Sequence, residues 1–310
     1  MMIQKKIIFI IFFIFVNFKS FSSENIFIIY NIDNEIITNV DVKKESRYLI
    51  MLNQQLKELD KTKIFEVAKK SALREALKNK ELSKFFNLNE VDVQTEKYLK
   101  TIYLRLKLNN KNELLNYLKI NNLTIEYVEK KVQIELAWNQ LIYDKYKNRV
   151  SVDSKKLLRE IKANKSLKDE RVYLLSEIVF EKDDQDNLNE KISNINQSIN
   201  EIGFKNTANI YSIADSSKFG GNIGWVEEKK LNIKILKELV KSDTDKITKP
   251  IQFGNSFIIL KIEGIKYQKR TTDESLELKR KVQFETNRQL AQFSKTYYNK
   301  IKINAIIDEL

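Results

Sequence analysis

The 310-residue chain contains no histidine and no cysteine, and those two absences decide most of its chemistry. Ser-His-Asp hydrolysis, Cys-His proteolysis and the common zinc sites each need a residue type the chain lacks. A disulfide framework and thiol nucleophiles are excluded with cysteine. What survives is work by carboxylates, lysine, serine or tyrosine, or binding without catalysis. One stretch stands apart from the rest of the chain, Tyr211-Ser-Ile-Ala-Asp-Ser-Ser-Lys-Phe-Gly-Gly-Asn-Ile-Gly-Trp225. Three of the chain's six glycines lie here beside one of its two tryptophans, so the backbone must turn tightly or be closely approached. A phosphate cradle is the other use of such a loop, but the Lys-Ser/Thr ending of a P-loop is missing and nucleotide binding is not expected.

The elements that must carry this loop follow from changes in period. Asn25 to Tyr30 and Glu35 to Ile37 are short β-prone runs around Asn31 to Asn34, a hairpin pattern. Thr38 or Asn39 then caps a helix beginning at Val40, with Val42, Tyr48, Leu49, Leu52 and Leu56 along one face. Further helices are predicted near 62–86, 90–108, 111–120 and 124–148, the last so dense in apolar residues that it should pack on more than one side. A short connector helix follows at 154–164. Composition turns to strands at Val172 to Phe180, then to helices over 188–202 and 203–209, and to another from Ile233 to Val240. Two strands within 247–262 meet at a Gly254-Asn255 turn, with Pro250 at a strand start or edge. Residues 273–300 return to helix and 301–307 read as a strand. A lone terminal strand is unstable, so it should pair with the N-terminal hairpin.

The first residues address the compartment. Lys5 and Lys6 precede the apolar run Ile7 to Val16, and Ser20-Phe21-Ser22 gives a small-x-small cleavage pattern. About a dozen apolar residues fall short of the roughly 20 needed to span a membrane. The expectation is a cleaved signal peptide and an exported protein; an uncleaved anchor and a buried helix are the alternatives. Removing Lys5, Lys6 and Lys19 lowers the formal charge of +13 by three, and the remaining excess is spread along the chain. It reads as solubility rather than as a nucleic-acid surface.

Three ordered motifs resemble a parvulin-type (PpiC-type) rotamase domain: Leu175-Ser-Glu-Ile-Val-Phe180, the glycine block at 211–225, and Ser256-Phe-Ile-Ile-Leu-Lys261. The flanks resemble the SurA class of periplasmic chaperones, through Asn34-Glu-Ile-Ile-Thr-Asn-Val-Asp-Val42 leading into helices and through the returning C-terminal helix and strand. These resemblances imply an α+β fold in four parts. A signal peptide at 1–23 precedes a helical chaperone domain at 24–165, a parvulin-like domain at 171–265 is inserted next, and a C-terminal helix and strand at 270–310 pack back on the helical domain.

Carried over position by position, the family's first histidine falls on Glu177 and its second on Ile258. The Cys/Asp position falls on Ala214, with Asp215 one residue away. The apolar peptide pocket falls on Leu231, Ile235 and Phe257, with Trp225 as a groove candidate. Each has a bland alternative: Glu177 as a strand-edge glutamate facing water, Asp215 as an Asx-turn residue, Trp225 as core behind the loop. Prolyl isomerisation crosses a barrier of about 18–20 kcal/mol, lowered by favouring the twisted imide over the planar one. Loss of both histidines removes the polar preorganisation of active relatives. The resemblance therefore implies a periplasmic chaperone for unfolded clients, such as outer-membrane β-barrel precursors, with little or no rotamase activity. Whether the chain is an enzyme stays open, an active peptidyl-prolyl isomerase being the alternative. No cofactor, metal, nucleotide or nucleic acid is implied, and membrane contact is at most transient.

Overall fold

The structure, a computed structural model, describes residues 25–33, 35–88, 93–163, 169–181, 188–240, 242–253, 256–269 and 273–310; the expected signal peptide and the Gly254-Asn255 turn lie outside them. The strand period gives way to the helical one at Thr38. β1 (Ile28–Ile32) and β2 (Glu35–Thr38) form the hairpin, and α1 (Asn39–Leu52) follows directly. The Thr38 hydroxyl accepts the Asp41 N–H at 3.3 Å while the Asp41 carboxylate accepts that of Thr38 at 2.9 Å, a reciprocal capping box. Asn39, the other cap candidate, is buried instead, with its side chain bonded to the backbone at Phe27 and Asn25.

Four further helices build the flank: α2 (Lys61–Leu82), α3 (Val93–Arg105), α4 (Lys111–Ile120) and α5 (Ile125–Tyr146), with the short α6 (Ser154–Ala163) after them. α5 does pack on two sides. Val128 and Val132 join the core built on β1, α1 and α2, whereas Ile134, Trp138, Leu141 and Ile142 join a second core with Leu82 and Tyr297.

The inserted part runs β3 (Asp169–Glu181), α7 (Leu188–Tyr211), β4 (Asn222–Glu227), α8 (Ile233–Leu239), β5 (Ile251–Phe253) and β6 (Ser256–Lys269). Its antiparallel sheet has the order β4-β3-β6-β5. Strand alternation sorts its side chains onto two faces. Ile178, Phe180 and Ile259 pack with Ile195, Phe204 and Ala208 of α7, whereas Leu175, Leu260 and Ile262 pack with Leu239 of α8. α7 breaks at Gly203 (φ 81°), where two helices were predicted to meet.

α9 (Glu274–Asn304) and β7 (Ile307–Glu309) return to the flank. β7 pairs antiparallel with β1, Tyr30 opposite Glu309 and Ile32 opposite Ile307, which completes the sheet β2-β1-β7. The strand predicted at 301–307 is corrected: α9 continues to Asn304, because Tyr297, Tyr298 and Ile301 extend its apolar face over the two helical cores. Among the described residues no helix is long and apolar enough to cross a membrane.

One polar cluster lies inside the helical flank. Lys131 of α5 reaches Glu45 of α1 at 2.5 Å and Glu75 of α2 at 2.6 Å. Ser71 and Tyr127 donate to the two Glu45 oxygens at 2.6 and 2.9 Å, and the Lys131 ammonium stands 4.9 Å from the Tyr48 ring and 4.8 Å from that of Tyr127. Burial works to raise the Glu45 pKa, but Lys131 and the hydrogen bonds outweigh it and hold the carboxyl below its ordinary range. Removing one member leaves an uncompensated buried charge. Lys131→Met is expected to cost roughly 3–5 kcal/mol of stability, read as a lowered denaturant midpoint.

Candidate functional site

The glycine loop is laid directly against β3. A 3₁₀ turn at Asp215–Phe219 runs into Gly220 (φ 65°) and Gly221 (φ 78°). A Cβ at Gly221 would lie 2.3 Å from the Glu177 carbonyl oxygen, a separation no side chain permits. The close approach brings two backbone bonds: Glu177 N–H donates to the Gly221 carbonyl at 2.8 Å, and Gly221 N–H donates to that of Ser216 at 2.9 Å. Ser216 is thereby held above the strand, where its hydroxyl donates to Glu177 Oε1 at 2.9 Å.

Glu177 is no strand-edge residue, and the water-facing reading is corrected. β3 is an interior strand, paired on one side by β4 and on the other by β6, and the side chain of Glu177 is half-buried under the loop. Its cross-strand partner is Leu260, so it shares a sheet face with Leu260 and with Ile258, diagonally across. Burial pushes the Glu177 carboxyl up; the Ser216 hydrogen bond opposes this and the charge of Asp215 adds to it.

The expected apolar pocket is only partly assembled. Leu231 and Ile235 both pack on Tyr173, Leu175, Leu239 and Leu260, and Ile258, at the second histidine position, packs there with them. Phe257 does not join them. It neighbours Ile258 on β6 and so points to the opposite face, where it stacks on Phe180 with ring centroids 5.7 Å apart. Trp225 is neither core nor part of that pocket. Its partner across β3 is Leu174, on the face away from Tyr173 and Leu175; the side chain is 46% exposed, passes over Gly264, and has the Lys266 ammonium 4.4 Å from its ring centroid.

Ala214 is the cap residue of the 3₁₀ turn and contributes no side-chain bond there. Asp215 closes no Asx turn: its carboxylate lies 3.6 Å from Lys78 of α2. What burial it has works to raise its pKa, but Lys78, Lys218 and Arg74 outweigh that and hold the carboxyl well below the usual carboxylate range. Lys218, three residues on, pairs with Glu135 of α5 at 3.0 Å. Ser216 and Lys218 stand inside the quoted glycine block yet carry no signal that separates them from loop polarity; nothing in the sequence ties Lys78 or Glu135 to this loop. Among the described residues no cluster of acidic side chains suited to a metal ion is present.

This geometry, a four-stranded antiparallel sheet with a helix on each face and a glycine loop clasped to its central strand, occupies the segment where the motifs were found. Residues 172–264 match the rotamase family, the PPIC-type PPIase domain. The rotamase-type domain is less than a third of the chain, and no curated protein matches the sequence. Among solved structures, one of two SurA-like chaperones of Campylobacter jejuni is 16% identical, covering 91% of this chain and 98% of that one, with a TM-score of 0.32. PrsA of Bacillus anthracis, a peptidylprolyl isomerase, is 19% identical over 76% of this chain and 97% of its own, with a TM-score of 0.30. PrsA of Bacillus subtilis is 17% identical over 88% and 91%, with a TM-score of 0.27.

Two variants of the rotamase-type domain test the geometry. Gly221→Ala must push the loop off β3 and is expected to cost roughly 3 kcal/mol, given the positive φ and the backbone clash together. Chemical denaturation of the full chain measures it. A carboxyl whose folded pKa is raised costs stability above the ordinary carboxylate range, and that cost is relieved as pH falls from the raised value through the ordinary one. Glu177→Gln should therefore raise the thermal midpoint at pH 7, with the gain vanishing by about pH 4.

Proposed function

We propose that the chain is a periplasmic folding factor that binds unfolded or extended polypeptides, outer-membrane β-barrel precursors among them, and that its rotamase-type domain serves as a binding surface with little isomerase activity. One observation carries this reading: the segment that matches the rotamase family keeps Leu231, Ile235 and Ile258 on one sheet face while no histidine exists anywhere in the chain. Apolar contact suffices to hold an extended segment, whereas accelerating isomerisation requires polar groups preorganised for the twisted imide. The flank adds exposed apolar side chains at Ile36, Val40, Ile303 and Ile306. Its outer strands β2 and β7 offer backbone to an extended client.

A second reading, a working isomerase, draws on Glu177. A carboxyl pushed toward its protonated form beside the Ser216 hydroxyl keeps protic groups on the pocket face. The two readings separate in one pair of assays. The first expects cis-to-trans conversion of a short Xaa-Pro peptide to run at the uncatalysed rate, together with suppressed aggregation of an unfolded outer-membrane β-barrel protein. Acceleration above about tenfold would establish the second reading, and neither effect would sink both. N-terminal sequencing of the protein recovered from the periplasm should begin near Ser23.

A further inference from the structure

The glycine loop is held from outside its own domain. Lys218 pairs with Glu135 of α5 and Asp215 with Lys78 of α2, at 3.0 and 3.6 Å. Lys78 is buried and its ammonium also faces the Trp138 ring at 5.2 Å. Next along the loop, Phe219 lies under the Arg105 guanidinium of α3 at 4.6 Å. A Cβ at Gly220 would come within 3.3 Å of the Asn53 amide, and that amide donates to Asn209 of α7 at 2.6 Å. Asn206 of α7 also donates to the Gln55 carbonyl at 3.2 Å. The loop's charged residues on either side of Ser216 are thus both neutralised by the helical flank. Ser216 itself is the residue that bonds Glu177.

We propose that Lys78 and Glu135 are positioning residues of the peptide site, so that the site is complete only when the helical flank grips the glycine loop. The proposal rests on the reading of the Leu231, Ile235 and Ile258 face as a polypeptide-binding surface. Lys218 and Glu135 are both largely withdrawn from water, so losing either leaves the other as a poorly solvated charge that must move to find water. Upstream the loop is anchored on β3 at Val179, which accepts the Ile213 N–H at 2.8 Å and donates to the Ser212 hydroxyl at 3.0 Å; beyond Asp215 it is held there by the Gly221 backbone contact and the Ser216 bond. Movement at 215 or 218 therefore reaches Glu177 through the intervening Ser216. Linkage makes the effect reciprocal: a segment bound on the pocket face tightens the grip of the flank on the loop.

The test uses the full chain and a fluorescein-labelled peptide bearing an apolar residue before proline, titrated by anisotropy where circular dichroism shows each variant folded. Glu135→Lys and Lys218→Glu should each weaken binding about tenfold, a coupling of ordinary size. The combined swap, which restores an opposite-charge pair, should recover affinity to within about threefold of the original. A residue that merely stabilised the fold would give no such rescue. Should Glu135→Lys not fold, Lys78→Met carries the comparison, with the same loss expected. Single variants that bind like the original chain, or a swap no better than its parents, would overturn the positioning role while leaving the peptide site standing. An unmodified chain that binds no peptide would instead remove the peptide site and this proposal with it.

Discussion

The contact on which the inserted domain depends is the approach of Gly221 to the Glu177 carbonyl. Only a residue without a Cβ brings the loop that near, and the approach sets the heights of Ser216, Asp215 and Lys218 above the sheet. Each of the three then has its partner within reach: Ser216 on Glu177, Asp215 on Lys78, Lys218 on Glu135. A single backbone constraint thereby connects the central strand of one sheet to helices organised around another.

Charge placement supports the same arrangement. The helical flank holds Glu45 and Lys131 in its interior, with the half-buried Glu75 beside them, at the crossing of α1, α2 and α5. From those same helices, α2 and α5, come Lys78 and Glu135, which face the loop. Satisfied buried charges tolerate little displacement, because any separation exposes an unpaired ion to a poorly polar surrounding. The helices that meet the loop are therefore held in fixed register where they meet it.

Much of the architecture was legible in the sequence, and the reasons are local. The hairpin, the Thr38 cap, the break at Gly203 and the return of a terminal strand to β1 each follow from turn chemistry or period. The glycine block identified its domain because those residues are demanded by backbone geometry. Side-chain direction was the harder quantity. The ladder between β3 and β6 shifts register between Leu174 and Leu175, and that between β3 and β4 shifts one residue later, so alternation counted from the sequence does not assign faces across the sheet. Phe257 follows plain alternation, opposite in face to its neighbour Ile258, and Trp225, across from Leu174, stands on the face away from Tyr173 and Leu175. Lys78 and Glu135 lie on helices far from the loop in sequence, and no local pattern announces a pairing made only in three dimensions.

The strand pairing that closes the flank bears on the order in which the molecule forms. β3 and β6 close their ladder within residues 169–269, but β1, paired locally with β2, meets its second partner only at residues 307–309. As the chain emerges N-terminus first, the inserted domain can complete itself while the flank still lacks its last strand. The flanking sheet is then the final piece to assemble. Until it does, the edge of β1 that will pair with β7 remains open, and the protein passes through a stage in which it resembles the clients it is proposed to hold.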